Sequence, residues 1–238
     1  MLVLYEPAHR SSQGVIDGDP RLAERATRQV AVDRPIDPQE LHADAAWLVE
    51  YGAALAIAEA LATQYSTNAR HQRAVAAGHD RIGAVRLAQG DSAGALAEFR
   101  AAKTITATLA ARDPSDAILQ RGVAIGDYQI AAALLAGGDQ VGALAEYRAF
   151  LTSTEALAAR DPTSADLPRD LAGGHEKGGD VRLAQGDAAG ALTEYRAYAA
   201  TFEALAATDP TNADRQAGVA ESHEKGGDAL AAQGDAVG

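Results

Sequence analysis

The chain has 238 residues and no cysteine, which excludes disulfides, thiolate metal sites and thiol chemistry. A net charge of −12 argues against nucleic acid or an anionic membrane surface as the partner. Apolar residues make up 47% of the chain but aromatics only 5%, so the apolar content is mostly Ala, Leu and Val, which suits close-packed helices.

In chain order, Leu2-Val3-Leu4-Tyr5 is ended by Glu6-Pro7 and is too short for a signal-peptide core or a membrane span, so a soluble, cytoplasmic protein is expected. Residues 1–18, with Ser11, Ser12, Gly14 and Gly18, read as irregular. Asp19-Pro20 opens a short helix to about Val32 that Arg34-Pro35 breaks, so residues 1–36 form a segment ahead of an array over 37–238. Asp37 to Gln64 reads as a helix, with Asp37 as cap, Pro38 in its first turn and Glu40 completing a capping box. Trp47, the only tryptophan, is expected to be a terminal core residue there.

From Gln89 the sequence returns on itself. Gln89-Gly90-Asp91 recurs as Gly137-Gly138-Asp139, Gln185-Gly186-Asp187 and Gln233-Gly234-Asp235, each 48 residues on. Ala95 to Arg100 returns as Ala143 to Arg148 and Ala191 to Arg196, and Asp113-Pro114 as Asp161-Pro162 and Asp209-Pro210. A fixed period of this size is the signature of a repeat array whose units bury their apolar faces against neighbours. Within Ala165–Pro210 a first helix over Asp166–Gln185 stops at Gly186, and Asp187 caps a second helix to about Ala207. That second helix carries Ala191, Leu192, Tyr195, Tyr198, Phe202 and Leu205 as one apolar stripe, and Thr211-Asn212 offers the next cap. The expected class is all-α: antiparallel pairs of helices of about 20 residues, each about 30 Å long. Glu50-Tyr51 lies one period before Glu98-Phe99, so the array begins near residue 37. Ala213–Gln233 is a first helix whose second helix is expected just where the sequence stops. That suggests a piece of a longer array, or else a face covered by another chain.

These residues resemble the tetratricopeptide repeat family over roughly residues 37–233. Ile82-Gly83 with Gly90, Gly178-Gly179 with Gly186, and Gly226-Gly227 with Gly234 match its first-helix glycine and turn. Ala95 with Phe99, Ala143 with Tyr147, and Ala191 with Tyr195 match its second-helix Ala-x-x-x-aromatic. The departures are a 48-residue period against the usual 34 or so, a terminal proline seven residues late, and His79, His175 and His223 where a tryptophan is usual. The resemblance implies a right-handed superhelical solenoid that binds a peptide or protein partner in its concave groove.

By the same resemblance the first helices line that groove, with Asp80 and Ala84, Tyr128 and Ala132, Glu176 and Asp180, and Glu224 and Asp228 facing it. The C-terminal half would be acidic and suited to a basic segment. The alternative is a solvated polar face that Lys177 and Lys225 partly neutralise. A clamp for terminal carboxylates needs Lys, Arg and Asn where this chain has acids, which argues against that ligand. Arg73, Arg121 and Arg169 form a second column, able to grip an acidic partner or to pair between units with Asp80-, Asp127- or Glu176-type carboxylates. Each histidine is followed by Asp or Glu on another helix face, so packing or capping is expected rather than metal binding. No nucleophile with a nearby base stands out, and the paired glycines at 173–174 and 178–179 lie within a helix, where close contact with a neighbour would offset their cost. No enzyme activity and no cofactor is therefore expected. Alternatives to groove binding are self-assembly into homo-oligomers through the terminal helix, or service as the interaction portion of a larger signalling protein or enzyme.

Overall fold

The computed structural model describes residues 45–235. The expected irregular start, the Asp19–Val32 helix, and the Asp37 cap with Glu40 lie outside the described residues. Within them are eight helices and no strand: α1 (Ala45–Gln64), α2 (Ala69–Ala88), α3 (Ser92–Arg112), α4 (Ala117–Ala136), α5 (Gln140–Arg160), α6 (Leu167–Ala184), α7 (Ala188–Thr208) and α8 (Ala213–Asp235). The chain divides into two compact units, Met1–Asp113 and Pro114–Gly238. In the first, α1 packs on α2 and α2 on α3; in the second, each helix from α4 to α7 packs on its successor. Among the described residues no helix is long and apolar enough to cross a membrane.

The turn inside each pair follows from one glycine and one aspartate. Gly90, Gly138 and Gly186 have φ of 81°, 87° and 80°, a region open to glycine at little cost. The next N–H closes a six-residue ring: Asp91 N donates to Arg86 O, Asp139 N to Leu134 O and Asp187 N to Arg182 O, each at 2.9 Å. The same aspartates then cap the following helix, accepting from Gly94 N (2.8 Å), Gly142 N (2.8 Å) and Gly190 N (2.9 Å). At the other end of the pair, Asp161 and Asp209 each accept from the N–H and the hydroxyl of the threonine two residues on, Thr163 and Thr211. These exposed bonds hold both carboxyls below the usual range. Asn212 caps α8 by accepting from Arg215 N at 3.2 Å.

The core of each pair is an aromatic ring laid on the backbone of the first helix. Phe99, Tyr147 and Tyr195 are each 2% exposed, and Ala95, Ala143 and Ala191 beside them are fully buried. A Cβ on Gly83 would lie 2.6 Å from the Phe99 ring, and one on Gly179 would lie 2.5 Å from that of Tyr195. Only glycine admits such an approach there. In the middle pair Ala131 holds the same register and packs with Tyr147. Burying one such ring contributes about 2–3 kcal/mol. Trp47 departs from expectation: it is half-buried rather than in the core, edge-on to Tyr51 with ring centroids 5.9 Å apart.

The adjacent glycines of α6 are not equivalent, although the sequence suggests close contact for all of them. A Cβ on Gly174 would lie 2.7 Å from Leu151 Cδ2 and 2.8 Å from Phe150 Cε1, whereas at Gly173 it would meet nothing within 4 Å. Gly173→Ala should therefore stabilise the protein by about 1 kcal/mol through helix propensity. Gly174→Ala should destabilise it by about 1–3 kcal/mol through overpacking. Urea midpoints of the two variants would test this, and shifts in the same direction would contradict it.

Candidate functional site

The polar side chains between helices form two systems, one joining the helices of a pair and one across first helices. In the first, His79 Nδ1 on α2 lies 2.7 Å from Glu98 Oε2 on α3, and His175 Nδ1 on α6 lies 2.8 Å from Glu194 Oε2 on α7. Arg86 and Arg182 link these glutamates to the capping aspartates, at 3.5 and 2.9 Å for Arg86 and 3.2 and 2.7 Å for Arg182. The result is a chain His–Glu–Arg–Asp–Gly N–H, present twice, with every member 96 residues from its counterpart. In the pair between them the same register holds Asp127, Glu146 and Leu134, so the glutamate and the Asp139 cap are kept while the histidine and the arginine are replaced. His79 and His175 are thus inter-helix pairing groups, not caps. His223 is exposed and lies 3.3 Å from Glu203.

The second system is the expected groove row. Asp80 lies on α2 in the first unit, partly buried, and burial pushes its carboxyl from 3.8 up to about 6. In the second unit, Glu176 and Asp180 are brought together on α6 by two lysines. Lys177 Nζ lies 2.7 Å from Glu176 and 3.7 Å from Asp180; Lys225 Nζ, reaching from α8, lies 3.3 and 2.8 Å from the same pair. Tyr195 donates to Asp180 at 2.8 Å, and Lys225 Nζ also stands 5.8 Å from the centre of its ring. Tyr128 on α4 is half-buried, edge-on to Tyr147 and Phe150 with centroids 5.3 Å apart in both cases. Burial raises the tyrosine hydroxyls at 128, 147, 195 and 198, and the carboxylates Glu176 and Asp180 add to it. Tyr198 donates to Glu221 at 3.2 Å. Glu224 and Asp228 on α8 are exposed.

Four charges in this cluster therefore cancel, and the exposed negative charge of the row in this unit lies on α8. Lys225 shapes this arrangement because a residue 45 positions from Asp180 is one period less one turn of helix. That spacing was visible in sequence; the tyrosine hydroxyls, three of the four on second helices, were not. Arg121 pairs between successive helix pairs of the second unit, but with Asp166 (3.1 Å) and Asp170 (2.6 Å) on the N-terminal side of α6 rather than with the Asp127- or Glu176-type carboxylates expected. Neither aspartate has a counterpart 48 residues earlier, where Ile118 and Gly122 stand. Arg169 is exposed. Among the described residues, no group of three or more His, Asp or Glu is placed to hold a metal ion. No protein-family model matches the chain, and no curated protein matches it.

Two titrations follow. The hydrogen bond from His175, helped by Arg182, holds Glu194 below its ordinary 4.5. Its stabilisation is thus present above about pH 4.5 and lost as pH falls through the depressed folded value. Glu194→Gln should cost about 1–2 kcal/mol at pH 7 and much less near pH 3, measured as the difference in urea midpoint. Asp80 works the other way. Its raised carboxyl favours the folded state when protonated, so that contribution is lost as pH rises from 3.8 through about 6. Asp80→Asn should stabilise the first unit at pH 7.5 by up to about 3 kcal/mol, and the gain should vanish below pH 4. A pH-independent difference would contradict the assignment.

Proposed function

We propose that this chain is a tetratricopeptide-like interaction scaffold, its helix pairs stacked in the right-handed sense that the resemblance implies. In this reading it receives a segment of a partner protein on the first-helix row of its second unit. The observation that carries the reading is the composition of that row. Tyr128, Glu176, Lys177, Asp180 and Lys225 offer ring edges and fixed charges without a nucleophile and base in reach of each other. Glu224 and Asp228 add uncompensated negative charge at one end, which favours a lysine- or arginine-bearing segment.

Magnitudes limit how much the charge contributes. Exposed ion pairs are worth about 0.2–1 kcal/mol each, so Glu224 and Asp228 select among ligands more than they hold them. Binding of labelled peptides of equal length and opposite charge, followed by fluorescence polarisation, tests the reading. Basic peptides should bind more tightly than acidic ones, the preference should fall with added salt, and Glu224→Lys with Asp228→Lys should weaken basic peptides by roughly tenfold. Equal binding of both peptide classes, or no change on double reversal, would sink the basic-segment reading.

A further inference from the structure

Helix α1 aligns one period before α3, and α8 one period after α6, so the described chain holds one second-type helix and one first-type helix without the mate of its own pair. Among the described residues, no helix lies on either of the faces that would mate. On α7, Ala191, Tyr195 and Tyr198 are 0–3% exposed against α6. Their counterparts on α1, Trp47, Tyr51 and Ala54, are only half-buried. On α8, Gly227 stands where Gly179 receives the Tyr195 ring, yet a Cβ on it would meet nothing within 4 Å. Gly226, Gly227 and the 52%-exposed Leu230, with Tyr195, Ala199 and His223, line an open cavity of about 420 Å³.

We propose that α1 of a second copy of this chain fills that seat, so that molecules join head to tail through a repetition of the α6–α7 packing. The pairs that hold α6 to α7 have their counterparts waiting on the two faces. Glu194 and Tyr195 become Glu50 and Tyr51; His175, Gly179 and Asp180 become His223, Gly227 and Asp228. The joint therefore places Glu50 on His223, the Tyr51 ring on Gly227 and the Tyr51 hydroxyl on Asp228. These repeat His175–Glu194 at 2.8 Å, the ring against Gly179, and Tyr195–Asp180 at 2.8 Å.

The departures from the internal packing compensate each other in size. Leu183 packs against the cluster of Ala191 and Tyr195. In the same registers α8 carries the smaller Ala231 and α1 the larger Trp47. One period before Gly83 the sequence has Pro35, and Pro38 follows three residues on, so the glycine that receives the ring in the other pairs is not repeated there. The contact is heterologous: each molecule offers two different faces, so blocking one leaves the other able to bind. The joint goes beyond the groove reading, because it connects the ends of the array; it shares Asp228 with the peptide-binding row, but its test substitutes Gly227 and Tyr51, which that row does not use. Either can fail while the other stands.

The test is molar mass by light scattering over a dilution series of the 238-residue chain and two variants, with helicity followed by circular dichroism. The unsubstituted chain should exceed the 24.5 kDa monomer as concentration rises. Gly227→Leu fills a seat that is open in the single chain, so it should keep helicity while weakening association by about 10- to 100-fold. Tyr51→Ala should do the same from the other face. Mixed, these two variants should form a one-to-one dimer that goes no further, through the intact α1 of the first and the intact α8 of the second. A chain that stays monomeric at all concentrations overturns the proposal. So does a Gly227→Leu chain that associates as before, or a Tyr51→Ala chain that still self-associates, which would signal a symmetric α8–α8 contact.

Discussion

Phe99, Tyr147 and Tyr195 each press a ring against the backbone of the helix before them, and the spacing within every pair follows from that contact. At Gly83 and Gly179 the approach is closer than any side chain would permit. A glycine inside a helix costs about 1 kcal/mol relative to alanine, while a buried ring returns two to three times that. The exchange is favourable only where a ring arrives. In the middle pair Ala131, which costs nothing in propensity, stands in that register and packs with Tyr147. The alanines at 95, 143 and 191 belong to the same contact, since they let the second helix lie close enough for the ring to reach.

Around this apolar contact the charges follow a longer rhythm than the fold. The His–Glu–Arg–Asp chain occurs in the first and third pairs and is replaced in the second, so the structural period is 48 residues and the electrostatic one 96. The middle pair keeps its glutamate, Glu146, and has Asp127 in the histidine register. Leu134 takes the register of Arg86 and Arg182, and Tyr128 stacks edge-on between Tyr147 and Phe150. The fold therefore tolerates different side chains at the same place, because the ring packed on the first helix has already set the distance.

Helices and turns were legible in the sequence because they depend on neighbours in the chain. Gly186 followed by Asp187 dictates a left-handed residue and a cap whatever surrounds them, and both are found. The histidines show where local reasoning stops. Their spacing of 19 residues to Glu98 and Glu194 crosses a turn, so its meaning depends on how two helices lie side by side. The same limit applies to Gly173 and Gly174, adjacent in sequence but facing open space and a packed ring. It applies as well to Arg121, whose carboxylates belong to the next pair and have no counterparts in the preceding one.

The candidate groove shows why a count of acidic residues is a poor guide to a partner. Glu176 and Asp180 look like an acidic patch in sequence, but two lysines lie within 4 Å of both, and their side chains are only 18% and 34% exposed. Half-dry charges so fixed define geometry more than they add affinity, because each has given up water to meet its mate. A ligand that took Asp180 from Lys225 would have to match a 2.8 Å bond and leave the ammonium a new site. In the proposed groove reading, selection by charge would pass to Glu224 and Asp228, which are exposed and individually weak. Strong binding on such a surface has to come from shape and from the number of contacts, which an array can extend by adding repeats.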